Sequence, residues 1–211
     1  MLFYISREIF ILSLKIMLKI RVFGQENLPK PPFIITSNHA SLMDPPMVAL
    51  ACRKYPVNFM AKQELFDHPI IGFWTRNVRC IPTKRGKNAV KGIKEALRRL
   101  KKGCVVGVFP EGTRSEDGSL QEAKIGTGFL MVKAEVPVVP VFVYGSAKAF
   151  PKGKGVVFGT KAGAIIGKPI SPEEYLRVAG PDRKDYETVS SLVMDRIGDL
   201  KKDLEEGRIT L

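Results

Sequence analysis

Two residues of this chain stand close enough in sequence for a turn to fold one onto the other. They are His39 and Asp44, in Asn38-His39-Ala40-Ser41-Leu42-Met43-Asp44. A carboxylate that accepts from one ring nitrogen fixes the imidazole tautomer and leaves the other nitrogen free to take a proton. That is a hydrolase triad without its nucleophile, and it suits a reaction in which the substrate brings the hydroxyl. The stretch also reads as an ordinary helix start. Asp ahead of Pro45 is a common cap, and a lone His near a strand end is more often structural. A second cluster is Pro110-Glu111-Gly112-Thr113-Arg114-Ser115. Its glycine permits close backbone approach, its Thr and Ser offer hydroxyls, and Arg114 can grip two phosphate oxygens at once. The alternative for this cluster is a plain surface turn. Lys124-Ile125-Gly126-Thr127-Gly128 is a weaker pattern, either a phosphate cradle at a helix start or simple packing.

The elements that must position these residues follow from the apolar runs. Phe33-Ile34-Ile35-Thr36 reads as a short buried strand ahead of His39, and residues 45–52 as a helix with Asp44 near its cap. Further strands are expected at 57–61, 78–82, 104–109 and 136–144, the last two continuously apolar as in a sheet buried on both faces. Val156-Val157-Phe158 and 164–167 suggest a hairpin or a strand pair. Helices are expected over 62–74 with a break near Pro69, over 88–102, from Ser171, and over 185–206. Strand–helix alternation across 33–143 predicts an α/β fold, a mostly parallel central sheet flanked by helices. Ligands of such sheets bind beyond the carboxyl ends of the strands, which is where His39 and Glu111 to Ser115 fall.

The 211 residues suffice for one core, and 45% hydrophobic with 26% charged residues excludes a disordered chain. Two histidines, His39 and His68, and three scattered cysteines give no metal-ligand spacing, so no metal is expected. The odd cysteine count points to a reducing compartment. The net charge of +13 is uneven: residues 171–211 hold 7 Lys and Arg against 10 Asp and Glu, and the rest holds 27 against 11. A body that basic expects anionic partners such as phosphates, acidic lipid headgroups or an acidic carrier protein. Nucleic acid is disfavoured, because no basic recognition helix and no RNA-type aromatic motif is present. Residues 2–23 are largely apolar but broken by Arg7, Glu8, Lys15, Lys19 and Arg21. That excludes an uncharged spanning helix and fits an amphipathic helix lying in a membrane interface, the alternative being a helix packed on the domain's own core. The expected organisation is thus a membrane-interface helical segment over 1–24 and an α/β domain over 25–211.

In sequence order these pieces resemble the glycerolipid acyltransferases of the 1-acyl-sn-glycerol-3-phosphate acyltransferase (PlsC) type. His39 and Asp44 stand at that family's H-x-x-x-x-D motif, and Phe109-Pro110-Glu111-Gly112-Thr113-Arg114-Ser115 matches its F-P-E-G-T-R-S block. Ile81-Pro82-Thr83-Lys84-Arg85 is similar to another block, with Lys84 where an Asp is usual. Val136-Pro137-Val138-Val139-Pro140-Val141 is similar to the proline-containing fourth block. The resemblance implies transfer of a fatty acyl group from a thioester to the sn-2 hydroxyl of lysophosphatidic acid. The donor would be acyl carrier protein or coenzyme A as co-substrate, with no other cofactor. It implies His39 as base and Asp44 as its orienter, with Arg85 and Arg114 on the acceptor phosphate. Glu111 would orient Arg114 or take a glycerol hydroxyl, and Gly112, Thr113 and Lys124 would complete the acceptor site. The implied location is the cytoplasmic face of a cell membrane, monotopic or peripheral. Acylation of glycerol 3-phosphate or another lysophospholipid, and a non-catalytic lipid-binding protein, are the alternatives.

Overall fold

The computed structural model describes residues 12, 13, 16–67, 72, 75–83, 89–151 and 155–210. The continuous apolar runs become strands because a strand covered on both faces has no solvent side to reserve for polar residues. In chain order these are β1 (Lys19–Phe23), β2 (Phe33–Ser37), β3 (Val57–Lys62), β4 (Ile81–Thr83), β5 (Val105–Val108), β6 (Val138–Tyr144) and β7 (Lys161–Ile166). They form one sheet in the order β1-β7-β6-β2-β5-β3-β4. Every neighbouring pair is parallel except β6 and β7. The observed fold is therefore the expected mostly parallel α/β sheet, with its reversal at one pair.

Central β6 carries Pro140, which cannot donate to a ladder. Its carbonyl accepts from Gly167, so its nitrogen faces the β7 side one position beyond the last residue that β7 pairs. Pairing to β2 on the other side is untouched.

The helices are α1 (Asp44–Ala51), α2 (Glu64–Asp67), α3 (Ala89–Lys101), α4 (Ile125–Ala134), α5 (Ser146–Ala149), α6 (Pro172–Val178) and α7 (Tyr186–Glu205). Alternation along the strands splits the core in two. Ile34, Val106, Val138, Phe142 and Ile165 face α3, α4, α6 and α7 through Leu100, Leu130, Met131, Tyr175, Val189, Val193 and Ile197. Phe33, Ile35, Val105, Val139, Val141 and Ala164 face α1 through Met47, Val48 and Ala51, together with Leu18. Each Val, Leu, Ile, Phe or Met side chain among these contributes about 1.5–3 kcal/mol on burial. Helix α7 starts and faces inward as its pattern predicts: Asp185 caps it, accepting from the Thr188 N–H at 3.0 Å.

Several expectations need correction. Lys19–Phe23 is not the end of an interfacial helix but edge strand β1, in register with β7 from Lys19 opposite Lys161 to Phe23 opposite Ile165. The α/β domain therefore begins by Lys19 rather than at residue 25. Of the segment before it, most lies outside the described residues; Leu12, Ser13, Ile16 and Met17 are helical. Val156 to Phe158 is not a strand but part of a turn that leads into β7. The strand expected at 78–82 lies at 81–83, and of the helix expected over 62–74 the described part is α2 with residues 72 and 75–77. No helix among the described residues is long and apolar enough to cross a membrane.

Candidate active site

Strand β2 ends at Ser37, and the next residue does the work of one more strand position. The buried Asn38 side chain donates to the Val143 carbonyl at 3.0 Å and accepts from the Val143 N–H at 2.7 Å. This clamp holds the chain beside β6 while the backbone turns away, and His39 leaves the sheet there. The His39 N–H donates to Glu111 Oε1 at 3.0 Å, and its carbonyl accepts from the Ser115 N–H at 2.7 Å. The loop after β2 and the loop after β5 are thus tied together on both sides of the histidine.

The ring itself is fixed by two contacts. His39 Nδ1 lies 2.8 Å from Asp44 Oδ2, and the imidazole stacks on Phe109 with centroids 4.1 Å apart at 21°. Phe109 in turn stacks on Phe59, 5.9 Å away at 14°. Behind Phe59 is Gly107, its register partner on β5. A Cβ on Gly107 would fall 2.5 Å from the Phe59 ring. Asp44 is fully buried, and the same Oδ2 also accepts from the Ala40 and Ser41 N–H groups at 2.7 Å each. Its bonds run back into the turn, not forward into α1. The capping reading is thereby excluded: no side chain caps α1, and the residue in the cap position is Met43. With the carboxylate on Nδ1, the Nε2 lone pair carries the ring's basicity. Nε2 has no hydrogen-bond partner among the described residues, and the side chain is 17% exposed.

Glu111 corrects the sequence reading. It is fully buried against the His39 loop, accepts from the His39 N–H and makes no bond to Arg114, so it does not orient that guanidinium. Burial, with a contribution from the Asp44 charge, pushes its carboxyl up to about 7, against the backbone bonds from His39 and Gln121. Glu111 Oε2 and Asp44 Oδ1 are buried atoms without a hydrogen-bond partner.

Beyond Glu111 the loop surfaces. Gly112, Thr113 and Arg114 are exposed, and Gly112 takes a left-handed φ of 68° that a side chain rarely adopts. Arg114 makes no hydrogen bond or ion pair among the described residues, so its guanidinium is free for an anion. Thr113 Oγ1 reaches Gln121 Oε1 at 3.4 Å, while Ser115 turns inward to Asp117 and the Gly118 N–H. Lys124 is brought to the same place. Its N–H donates to the Pro110 carbonyl, and its Cγ lies 3.3 Å from where a Gly112 Cβ would be. The two glycines after Lys124 differ: no atom lies within 4 Å of a Cβ built on Gly126. Gly128 is a packing residue, where a Cβ would come within 2.0 Å of the Tyr186 carbonyl of α7. Arg85 lies outside the described residues; β4, just before it, runs parallel to β2 and ends on the same side of the sheet.

Sequence reasoning gave no role to Phe109, Phe59 and Asn38, which fix the histidine. An aromatic at a strand end looks like core, and an Asn in a turn looks like turn chemistry. Only the contacts separate them.

Comparison with known proteins gives this geometry its setting. A family model described as Acyltransferase matches residues 19–144. The chain is 37% identical to a chloroplastic 1-acyl-sn-glycerol-3-phosphate acyltransferase of Arabidopsis thaliana over 72% of this chain and 44% of that protein. It is 29% identical to the 1-acyl-sn-glycerol-3-phosphate acyltransferase of Bacillus subtilis over 92% of this chain and 96% of that one. It thus spans under half of the plant relative and nearly all of the bacterial one. The crystal structure of the 1-acyl-sn-glycerophosphate acyltransferase PlsC from Thermotoga maritima superposes with a TM-score of 0.69 at 32% identity, over 86% of this chain and 72% of that one. With the family model covering more than half of the residues, this chain belongs to the acyltransferase family.

Proposed function

We propose that this protein is a 1-acyl-sn-glycerol-3-phosphate acyltransferase. It moves a fatty acyl group from a thioester to the sn-2 hydroxyl of lysophosphatidic acid and yields phosphatidic acid. The observation that carries the reading is the His39–Asp44 pair at 2.8 Å with Nε2 open. A base so arranged needs a hydroxyl from outside, since no side-chain hydroxyl or thiol bonds to it among the described residues.

The acceptor hydroxyl gives its proton to His39 Nε2 as its oxygen attacks the thioester carbonyl. The resulting imidazolium is stabilised by the Asp44 carboxylate, which its two backbone donors hold in place. Collapse of the tetrahedral intermediate breaks the carbon–sulfur bond, and the departing thiolate takes the proton back from Nε2. The free Arg114, with Lys124 beside it and Arg85 supplied by the chain after β4, holds the acceptor phosphate and so presents the hydroxyl to the base. No acyl-enzyme forms. The donor is an anionic thioester, on acyl carrier protein or coenzyme A, to which the basic body is attracted. The protein works as a peripheral or monotopic enzyme on the cytoplasmic face of a membrane, where its acceptor resides.

The test uses the purified chain with labelled acyl-carrier-protein and coenzyme A thioesters, offered lysophosphatidate or glycerol 3-phosphate. Phosphatidic acid should accumulate, and His39→Ala should abolish it while the protein remains folded. Turnover with glycerol 3-phosphate alone would overturn the acceptor, and substantial turnover by the His39 variant would overturn the base.

A further inference from the structure

The exposed large hydrophobic side chains among the described residues all lie at one end of the sheet. Strand direction establishes this. β2, β5, β3 and β4 run parallel and deliver their chains to the end that carries His39. Leu42, 54% exposed, lies in the His39 loop itself. Val90 opens α3, where the Cβ position of Gly92 lies against the Thr83 side chain at the end of β4. Ile125 opens α4, pinned by the Lys124 N–H to Pro110 just past β5.

The other four arrive from the reversed strands. β7 is antiparallel to β6 and β1 is parallel to β7, so both start at the His39 end. Leu12 and Ile16 precede β1; Val157 and Phe158 precede β7, with Ile16 76% and Phe158 71% exposed. Backbone bonds join these segments: Gly159 donates to the Met17 carbonyl at 2.8 Å, and Lys19 to that of Thr160 at 3.0 Å. On the turn's other flank Val157 donates to Ala149, and Ser41 Oγ of the His39 loop to the Phe150 carbonyl at 3.4 Å.

The charge next to the turn is positive, while the exposed acids of this end, Glu64, Asp67, Glu116, Asp117 and Glu122, lie in the segments after β3 and β5. Lys19, Lys148 and Lys161 are exposed beside the turn. The sequence has no Asp or Glu between Glu8 and Glu26, nor between Glu135 and Glu173. Apolar tips ringed by lysines fit an anionic lipid surface, in which the tips enter the acyl boundary and the lysines meet headgroups. A second copy of the chain would bring the same positive charge against it.

We infer that the Val157–Phe158 turn is a bilayer-docking contact that sets the His39 end of the sheet down on an anionic lipid surface. The inference rests on the lipid-acceptor reading and deepens it, since an acceptor could then present its headgroup to His39 while its acyl chain stays in the bilayer. The test is a Val157→Ser/Phe158→Ser double variant of the full chain. It is compared with wild type by co-sedimentation with phosphatidylglycerol/phosphatidylcholine vesicles and with phosphatidylcholine vesicles alone. Wild type should bind the anionic vesicles preferentially, and the double variant should lose at least about tenfold in partition, since side chains of this size add that much on entering an acyl boundary. Its transfer rate to a short-chain, monomeric lysophosphatidate should match wild type, while its rate on vesicle-embedded lysophosphatidate should fall. Phe158→Trp adds a readout that does not depend on losing a side chain: its extra tryptophan emission should shift to the blue on anionic vesicles. Unchanged partition, or no emission shift, overturns the inference. So does a change in oligomeric state with vesicle binding intact, which would mark the face as an interface between copies. If vesicle binding depends on Phe158 but wild type acylates no acceptor, the docking stands and the enzymatic reading fails.

Discussion

Asp44→Ala removes one oxygen that three donors share: His39 Nδ1 at 2.8 Å and the Ala40 and Ser41 N–H groups at 2.7 Å each. The loss has two parts that can be measured separately. For stability, two backbone donors lose their acceptor. A buried orphan donor costs about 1–3 kcal/mol, with Ser41 near the top of that range and half-buried Ala40 near the bottom, so the sum is about 2–5 kcal/mol. For catalysis, the imidazole loses its tautomer lock and the countercharge for its protonated state, a loss of about 10²–10⁴ in turnover. His39→Ala separates the two. It removes the base altogether, yet leaves Asp44 both backbone donors and forfeits mainly the Phe109 stacking, about 0.5–1.5 kcal/mol. His39→Ala should therefore be inactive and Asp44→Ala retain only residual turnover, while unfolding in guanidinium should rank wild type first, His39→Ala close behind, and Asp44→Ala below wild type by about 2 kcal/mol or more. Equal stability of the two variants, at unchanged denaturant slope, would refute the claim that Oδ2 holds the turn as well as the ring.

Three further outcomes follow from the site. The Glu111 carboxyl has a folded value of about 7 against an ordinary 4.5, so the folded state binds the extra proton between those values. Its contribution is fully present below about pH 4.5 and is lost as pH rises through 7, and Glu111→Gln should flatten this fall in unfolding curves taken from pH 5 to 8. Gly107→Ala places a methyl 2.5 Å from the Phe59 ring and, through Phe59 and Phe109, displaces the surface on which His39 rests. Turnover should fall more than tenfold for a stability loss of about 1–3 kcal/mol, the usual cost of overpacking; wild-type kcat would show that the aromatic stack does not set the ring. Burial pushes the Cys52 thiol up to about 12 and the Cys80 thiol up to about 11, so neither is a thiolate at neutral pH. Iodoacetamide should leave both unlabelled in the native enzyme at pH 8 by peptide mass mapping, and rapid labelling of either would contradict the packing.

What the sequence disclosed depended on how unambiguous each local signal was. Phe33 to Thr36, the stretch from Val105 and that from Val138 are continuous apolar runs, which only doubly covered strands need, and they sit where expected. Lys19-Ile20-Arg21-Val22-Phe23 reads as helix because its charges continue the spacing of those before it. It is an edge strand because β7 offers it five partners, and its one local trace is the short alternation of charged and apolar residues from Lys19 to Val22. Val156-Val157-Phe158 has a strand's composition but lies on the surface. Among the site residues, His39 and Asp44 were recognisable by type and spacing. The role of Glu111 was not, because an acid beside Gly-Thr-Arg looks like part of a ligand loop, and only its depth shows that it holds the backbone of His39.

The antiparallel pairing of β6 and β7 gives the molecule a back as well as a front. Because the last strands reverse, the segment entering β1 arrives at the His39 end and leaves the opposite end to features such as the turn between α3 and β5. There Lys102 and Gly103 are exposed, and no atom lies within 4 Å of a Cβ built on Gly103. A fluorophore, affinity handle or surface tether inserted at that turn would point the chemistry outward. The same attachment ahead of Lys19 would stand between the enzyme and whatever it approaches. A surface-immobilised preparation should be built from the back.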